Sequence, residues 1–130
     1  MFDVHAHLHD EAFVGDRDAT VDRARAVGLE GIVTIGTDPE ENRRAVACAE
    51  AYPDVWVSVG LHPHFFNEAE ENTNSSTQIP NKTQSRDQKF QKEIQELRAI
   101  AESSNRVVAI GECGLDYFSR DPENPITDGQ

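Results

Sequence analysis

Glu30-Gly31-Ile32-Val33-Thr34-Ile35-Gly36 is a β-branched run closed by glycine, short enough for a strand buried on both faces, and its reading decides the fold. A helix start follows at once. Asp38 stands in the N-cap position, Pro39 in the first turn and Glu41 in the capping-box position. That helix is expected to run to about Ala51, because Pro53 forbids much more. Val55-Trp56-Val57-Ser58-Val59-Gly60 then forms the next strand. A strand, a crossover helix and a second strand in this space call for parallel pairing with a right-handed connection.

Working outward, Met1 to His5 reads as a short strand, and Asp18 to Val27 as a helix with Val21, Ala24 and Val27 roughly on one side and Gly28 as its stop. Past His64 the composition changes. Residues 67–86 are Asn, Ser, Thr, Gln and Glu with little to bury, and a mobile polar loop is expected there. Its two glycosylation sequons, at Asn74 and Asn81, need no more than chance in so Asn/Ser/Thr-rich a segment. Phe90, Ile94, Leu97 and Ala101 restore helical spacing, and Arg106 to Gly111 gives a fourth strand. Residues 119–130 form a polar tail. The order β-α-β-α-β-(loop)-α-β suits either an open doubly wound sheet or part of an eight-stranded β/α barrel; a complete barrel needs about 250 residues, so this chain of 130 would be half of one.

Composition fits a single α/β domain over residues 1–130 with a modest core, since aromatics make up only 7%. The 12 basic against 24 acidic side chains leave a net charge of −12, which excludes a broad cationic surface for a polyanion. No apolar run approaches about 18 residues, and the start of the chain lacks a secretory pattern. A cytoplasmic protein without a membrane partner is expected. Cys48 and Cys113 have no framework spacing and are read as reduced.

The residues able to carry chemistry sit where strands end, as α/β folds require. Alternation turns Asp3, His5 and His7 to one side of the first strand and Phe2, Val4 and Ala6 to the other. Imidazoles at i and i+2 lie roughly 6.6 Å apart along a strand, within reach of one cation at about 2.1 Å from each. A His-x-His pair serves equally as an incidental strand end. Glu112 follows the apolar run 107–111 directly; an ionised carboxylate there needs a cation, a donor or water, or is simply an exposed loop acid. His62 and His64, separated by the stiff Pro63, could bind metal, donate to a phosphate oxygen or cap a strand end. Together, imidazoles and carboxylates on one face suit Zn, Mn or Mg. Such a centre activates water toward a phosphoryl or acyl group and brings a phosphodiester to an acidic protein.

At these residues the sequence resembles the TatD family of metal-dependent deoxyribonucleases, within the wider amidohydrolase-type metal hydrolases. Phe2-Asp3-Val4-His5-Ala6-His7-Leu8 resembles the family's opening D-x-H-x-H-L. Gly60-Leu61-His62-Pro63-His64 resembles G-[IVL]-H-P-H, and residues 109–117, Ala109-Ile110-Gly111-Glu112-Cys113-Gly114-Leu115-Asp116-Tyr117, resemble A-I-G-E-x-G-L-D-[YF]. The resemblance implies a TIM-type β/α barrel, here its N-terminal half, and hydrolysis of DNA phosphodiesters, often from a 3′ end. By it, His5 and His7 would ligate one divalent ion and Glu112 would bridge it to a second, giving up to two ions in a complete barrel. His62 and His64 would lie near the scissile phosphate, and Asp3 and Asp116 would orient the ligands.

The chain also departs from the pattern. The family's two further histidines and its late aspartate, a metal ligand and general base, fall beyond the point equivalent to Gln130, so the general base is expected outside this chain. The loop after His64 is longer than usual, and His9 stands where an acid or Thr is common. The expected partners are therefore DNA or a small phosphoester, with a second half-barrel chain or self-association closing the fold. An inactive truncated remnant, or a metal hydrolase of amides or esters, remains as the alternative.

Overall fold

The computed structural model describes residues 1–63 and 82–114, with side chains from residue 88 onward in the second segment. The strands are β1 (Phe2–Ala6), β2 (Gly31–Ile35), β3 (Val55–Val59) and β4 (Val107–Ile110). A single 3₁₀ turn at Glu11–Phe13 precedes helix α1 (Arg17–Ala26); α2 spans Pro39–Ala51 and α3 spans Lys82–Glu102. Local chemistry accounts for the boundaries. Asp38 Oδ1 accepts from the backbone N–H groups of Glu40 and Glu41, each at 2.8 Å, with Pro39 in the first turn. Gly28 takes φ +89° after α1, a left-handed conformation that a Cβ would oppose.

Every strand pair is parallel, and the four lie in the order β1-β2-β3-β4. That order settles the choice left by periodicity. A doubly wound sheet reverses its strand order at a switch point, whereas each successive unit here adds to the same side, as in a barrel segment. The core lies between sheet and helices: Ile32, Val55, Val57 and Val59 cluster with Val21 of α1, Ala45, Val46, Cys48 and Ala49 of α2, and Ile100 of α3. Cys48 and Cys113 are both free thiols, as expected.

One boundary moves. Helix α3 begins at Lys82, inside the 67–86 stretch expected to be loop. Gln84, Arg86, Gln88 and Lys89 are straight-chain residues that lose little rotamer freedom in a helix, and their polarity hid that propensity. The rest of that stretch, both sequon asparagines and the 119–130 tail lie outside the described residues. Among the described residues no helix is long and apolar enough to cross a membrane.

Candidate metal centre

Parallel pairing brings the ends of β1, β3 and β4 to one side of the sheet, and with them His7, His62 and Glu112. His5, on β1, and Glu112, just beyond β4, belong to the two opposite edges. In a flat sheet those edges would be about 14 Å apart, three spacings of about 4.8 Å. Yet His5 Nε2 lies 3.0 Å from Glu112 Oε1, a contact across the whole width of the sheet. The other carboxylate oxygen, Oε2, is 3.9 Å from His62 Nε2. One carboxylate is thus set between two imidazoles from different strands.

His7 is held differently. Its ring centroid is 5.5 Å from that of His5, but its Nδ1 lies 2.9 Å from the Ile35 carbonyl oxygen at the end of β2. A carbonyl can only accept, so Nδ1 of the neutral ring carries the proton and Nε2 keeps its lone pair, the tautomer a metal-binding histidine needs. Asp3 Oδ1 accepts from the backbone N–H of His5 at 3.0 Å; it braces the main chain of that residue and not its ring. His64 and Asp116 lie outside the described residues.

The donor chemistry fits a divalent ion. His5 Nε2 and Glu112 Oε1, 3.0 Å apart, are an imidazole nitrogen and a carboxylate oxygen, the donor types that Zn, Mn or Mg would take. The grouping is nonetheless looser than the sequence suggested. Among the described residues no three His, Cys, Asp or Glu side chains are already arranged to hold an ion, because His7 is turned toward β2 while His5 meets Glu112.

Two polar residues that shape the site were not singled out by sequence motifs as structural parts. His9 is only 5% exposed, with Nδ1 2.9 Å from the buried Thr34 hydroxyl. Burial pushes its pKa below the ordinary histidine value, against a smaller upward pull from Glu41, with His7 and Arg44 lowering it and Asp10 raising it less. It belongs to the scaffold under His7, whose ring centroid is 6.0 Å away. Asn42 of α2 is fully buried, and its amide bonds both backbone polar groups of Gly60. Its signal in the sequence is a polar residue on the stripe it shares with Ala45, Val46 and Ala49.

Comparison with known proteins bears on the family and the fold. The sequence profile described as TatD related DNase matches residues 2–127. The 3′-5′ ssDNA/RNA exonuclease TatD of Erwinia tasmaniensis is 36% identical over 127 residues, covering 95% of this chain and 40% of that protein. The protein of the same name from Citrobacter rodentium is 36% identical over 117 residues, covering 90% of this chain and 36% of its own length. The crystal structure of YJJV, a TatD homolog from Escherichia coli K12, superposes with a TM-score of 0.67 at 29% identity, over 95% of this chain and 40% of that one. The chain therefore spans about two fifths of the length of these relatives. With the strand order of a partial TIM-type barrel and a family match over nearly its whole length, the chain belongs to the TatD-related DNase family.

Proposed function

We propose that this chain forms the metal-binding, N-terminal part of a hydrolase that cleaves phosphodiester bonds in DNA. In this reading His5, His7 and Glu112 hold a divalent ion, Mg, Mn or Zn, with Glu112 able to share a second. The observation that carries it is the meeting of His5 and Glu112 from opposite edges of the sheet, 3.0 Å apart at the strand ends. A bound ion supplies Lewis acidity toward a phosphoryl oxygen and brings the polyanion to a chain of net charge −12. The Ile35 carbonyl keeps His7 in its ligating tautomer. His62, whose backbone N–H donates to the Thr37 carbonyl at 2.8 Å, presents its ring beside Glu112 where it can donate to a phosphate oxygen, and His64 would extend that role. Asp3 steadies the backbone of His5, and Asp116 would do the same for the loop after Glu112. The general base comes from outside this chain. A cytoplasmic location goes with that substrate.

The working form closes the barrel with further β/α units on the edges of β1 and β4, which pair with no further strand among the described residues and where Phe2, Val4, Val108 and Ile110 are each more than half exposed. A complementary half-barrel is the partner proposed. Sedimentation of the chain alone as a compact, stable monomer would overturn this part.

The enzymatic reading is tested by incubating the chain, alone and with the complementary portion of a TatD relative, with 3′-end-labelled DNA, RNA and a panel of small esters under Mg²⁺, Mn²⁺ or Zn²⁺. The expected result is metal-dependent hydrolysis of DNA that is abolished by Glu112→Gln. Turnover of esters alone would reassign the substrate, and no turnover in any arm would mark a catalytically inactive chain.

A further inference from the structure

We propose that Asn42 is a positioning residue for the site: its buried amide stands in for a missing strand neighbour at Gly60 and so fixes the backbone carrying His62 against the Gly111–Glu112 peptide. In a parallel ladder the two polar groups of a residue face one neighbouring strand, and successive residues alternate sides. The Ser58 carbonyl accepts from Gly36 N–H at 3.0 Å on the β2 side, and the Val59 carbonyl accepts from Gly111 N–H at 2.9 Å on the β4 side. Gly60 therefore turns back toward β2. But β2 has ended at Ile35, and the chain has already left at Gly36 to start α2. Without a substitute, both polar groups of Gly60 would be buried and unpaired.

Asn42 is that substitute. Its Nδ2 donates to the Gly60 carbonyl at 2.7 Å, and its Oδ1 accepts from the Gly60 N–H at 3.0 Å. A neutral side chain carrying one donor and one acceptor on a planar group is what this task needs. Aspartate lacks the donor, and alanine lacks both. Gly36 gives the amide room, since a Cβ there would lie 2.4 Å from Asn42 Oδ1 and 2.7 Å from its Cα.

From Gly60 the contact passes directly to the candidate ligand. A Cβ on Gly60 would lie 2.4 Å from the Glu112 carbonyl oxygen and 2.4 Å from the Gly111 carbonyl carbon, so the two backbones touch with no side chain between them. Beyond Gly60 the chain reaches His62, whose N–H is taken by Thr37, at the turn into α2. The start of α2 thus fixes the backbone that carries His62 where Gly60 meets the Gly111–Glu112 peptide. The inference depends on the metal reading only for the use made of Glu112; the positional claim stands on the hydrogen bonds.

The test compares four variants of the full chain. Asn42→Ala removes both hydrogen bonds, and Asn42→Ser keeps a short polar group should the alanine variant fail to fold. Gly60→Ala pushes on the Gly111–Glu112 peptide while leaving Asn42 intact. Val21→Ala, in the shared core but outside the site's hydrogen bonds, controls for lost stability. Two readouts are taken: the backbone amide resonances of His62 and Glu112 in metal-free protein, and Mn²⁺ affinity by calorimetry. The Asn42 and Gly60 variants are expected to displace both resonances and weaken Mn²⁺ about tenfold, in the range for residues that orient ligands, while Val21→Ala does neither. Asn42 and Val21 variants that behave alike would overturn the proposal. Failure of the unaltered chain to bind Mn²⁺ would overturn the metal reading alone, and the amide resonances would then decide for Asn42.

Discussion

The two inner strands and the two outer ones carry similar apolar sequences but have different surroundings. In β2 and β3 nearly every residue is buried, with helices over one face and strands on both edges. In β1 and β4 nearly every residue is exposed or only half-buried, although Phe2, Val4, Val108 and Ile110 are as apolar as their counterparts inside. Parallel strands are ordinarily buried on both faces. The centre of the sheet is thus a finished α/β core, while its edge strands keep their apolar side chains exposed among the described residues. The site residues divide the same way: His5 stands on the first edge strand and Glu112 at the end of the other, while Ile35, which takes His7 Nδ1, Thr34, which takes His9 Nδ1, and Gly60, bonded by Asn42, belong to the buried centre.

The contrast can be broken most forcefully at matched substitutions. Val57→Asp places an unpaired carboxylate among fully buried side chains and is expected to cost more than about 4 kcal/mol, abolishing the cooperative urea transition. Val108→Asp on the edge strand, where the side chain is exposed, is expected to change the stability of the chain alone by less than about 0.5 kcal/mol. Equal losses would show that the edges are covered in solution. Its effect should appear instead as lost association with a complementary half-barrel.

Between these extremes lies His9, which supports the site from the buried centre. His9→Ala strands the buried Thr34 hydroxyl and is expected to cost about 1–3 kcal/mol of stability, read from urea denaturation, while leaving Mn²⁺ affinity within a factor of two or so. The sign of the pH effect follows from burial. His9 titrates below its unfolded value of about 6.5, so the unfolded chain binds more protons as the pH falls. Its contribution to stability is complete above that value and is lost as the pH drops toward the lowered folded value. Denaturation midpoints between about pH 7.5 and 5.5 should therefore fall less steeply in His9→Asn than in the unaltered chain, and equal slopes would contradict the assignment.

How far these features were legible follows from their range along the chain. Strand–helix alternation and the N-cap at Asp38 depend on neighbouring residues and could be read directly. Three motifs, carried by residues 2–8, 60–64 and 109–117, pointed to His5, His62 and Glu112, and parallel topology brought those three together. Periodicity could not choose between an open sheet and a barrel segment, because strand order depends on where each crossover lands. Nor could it separate edge from centre: a valine run reads the same with or without a neighbour. Asn42 was missed because a polar residue early in a helix looks solvated until the end of β2 leaves Gly60 without a partner. His7 shows the reverse, for alternation put it beside His5 but could not foresee that the Ile35 carbonyl would take its Nδ1.

The claim that His5 and Glu112, from opposite edges, hold one divalent ion is tested most directly by a double-mutant cycle on Mn²⁺ affinity, measured by calorimetry on the unaltered chain, His5→Ala, Glu112→Gln and the double variant. Each single substitution is expected to weaken binding at least about tenfold, and the double to lose little more than either single, because removing one ligand of a shared site removes most of what the other contributed. Fully additive losses, or single variants that bind as the unaltered chain does, would contradict it.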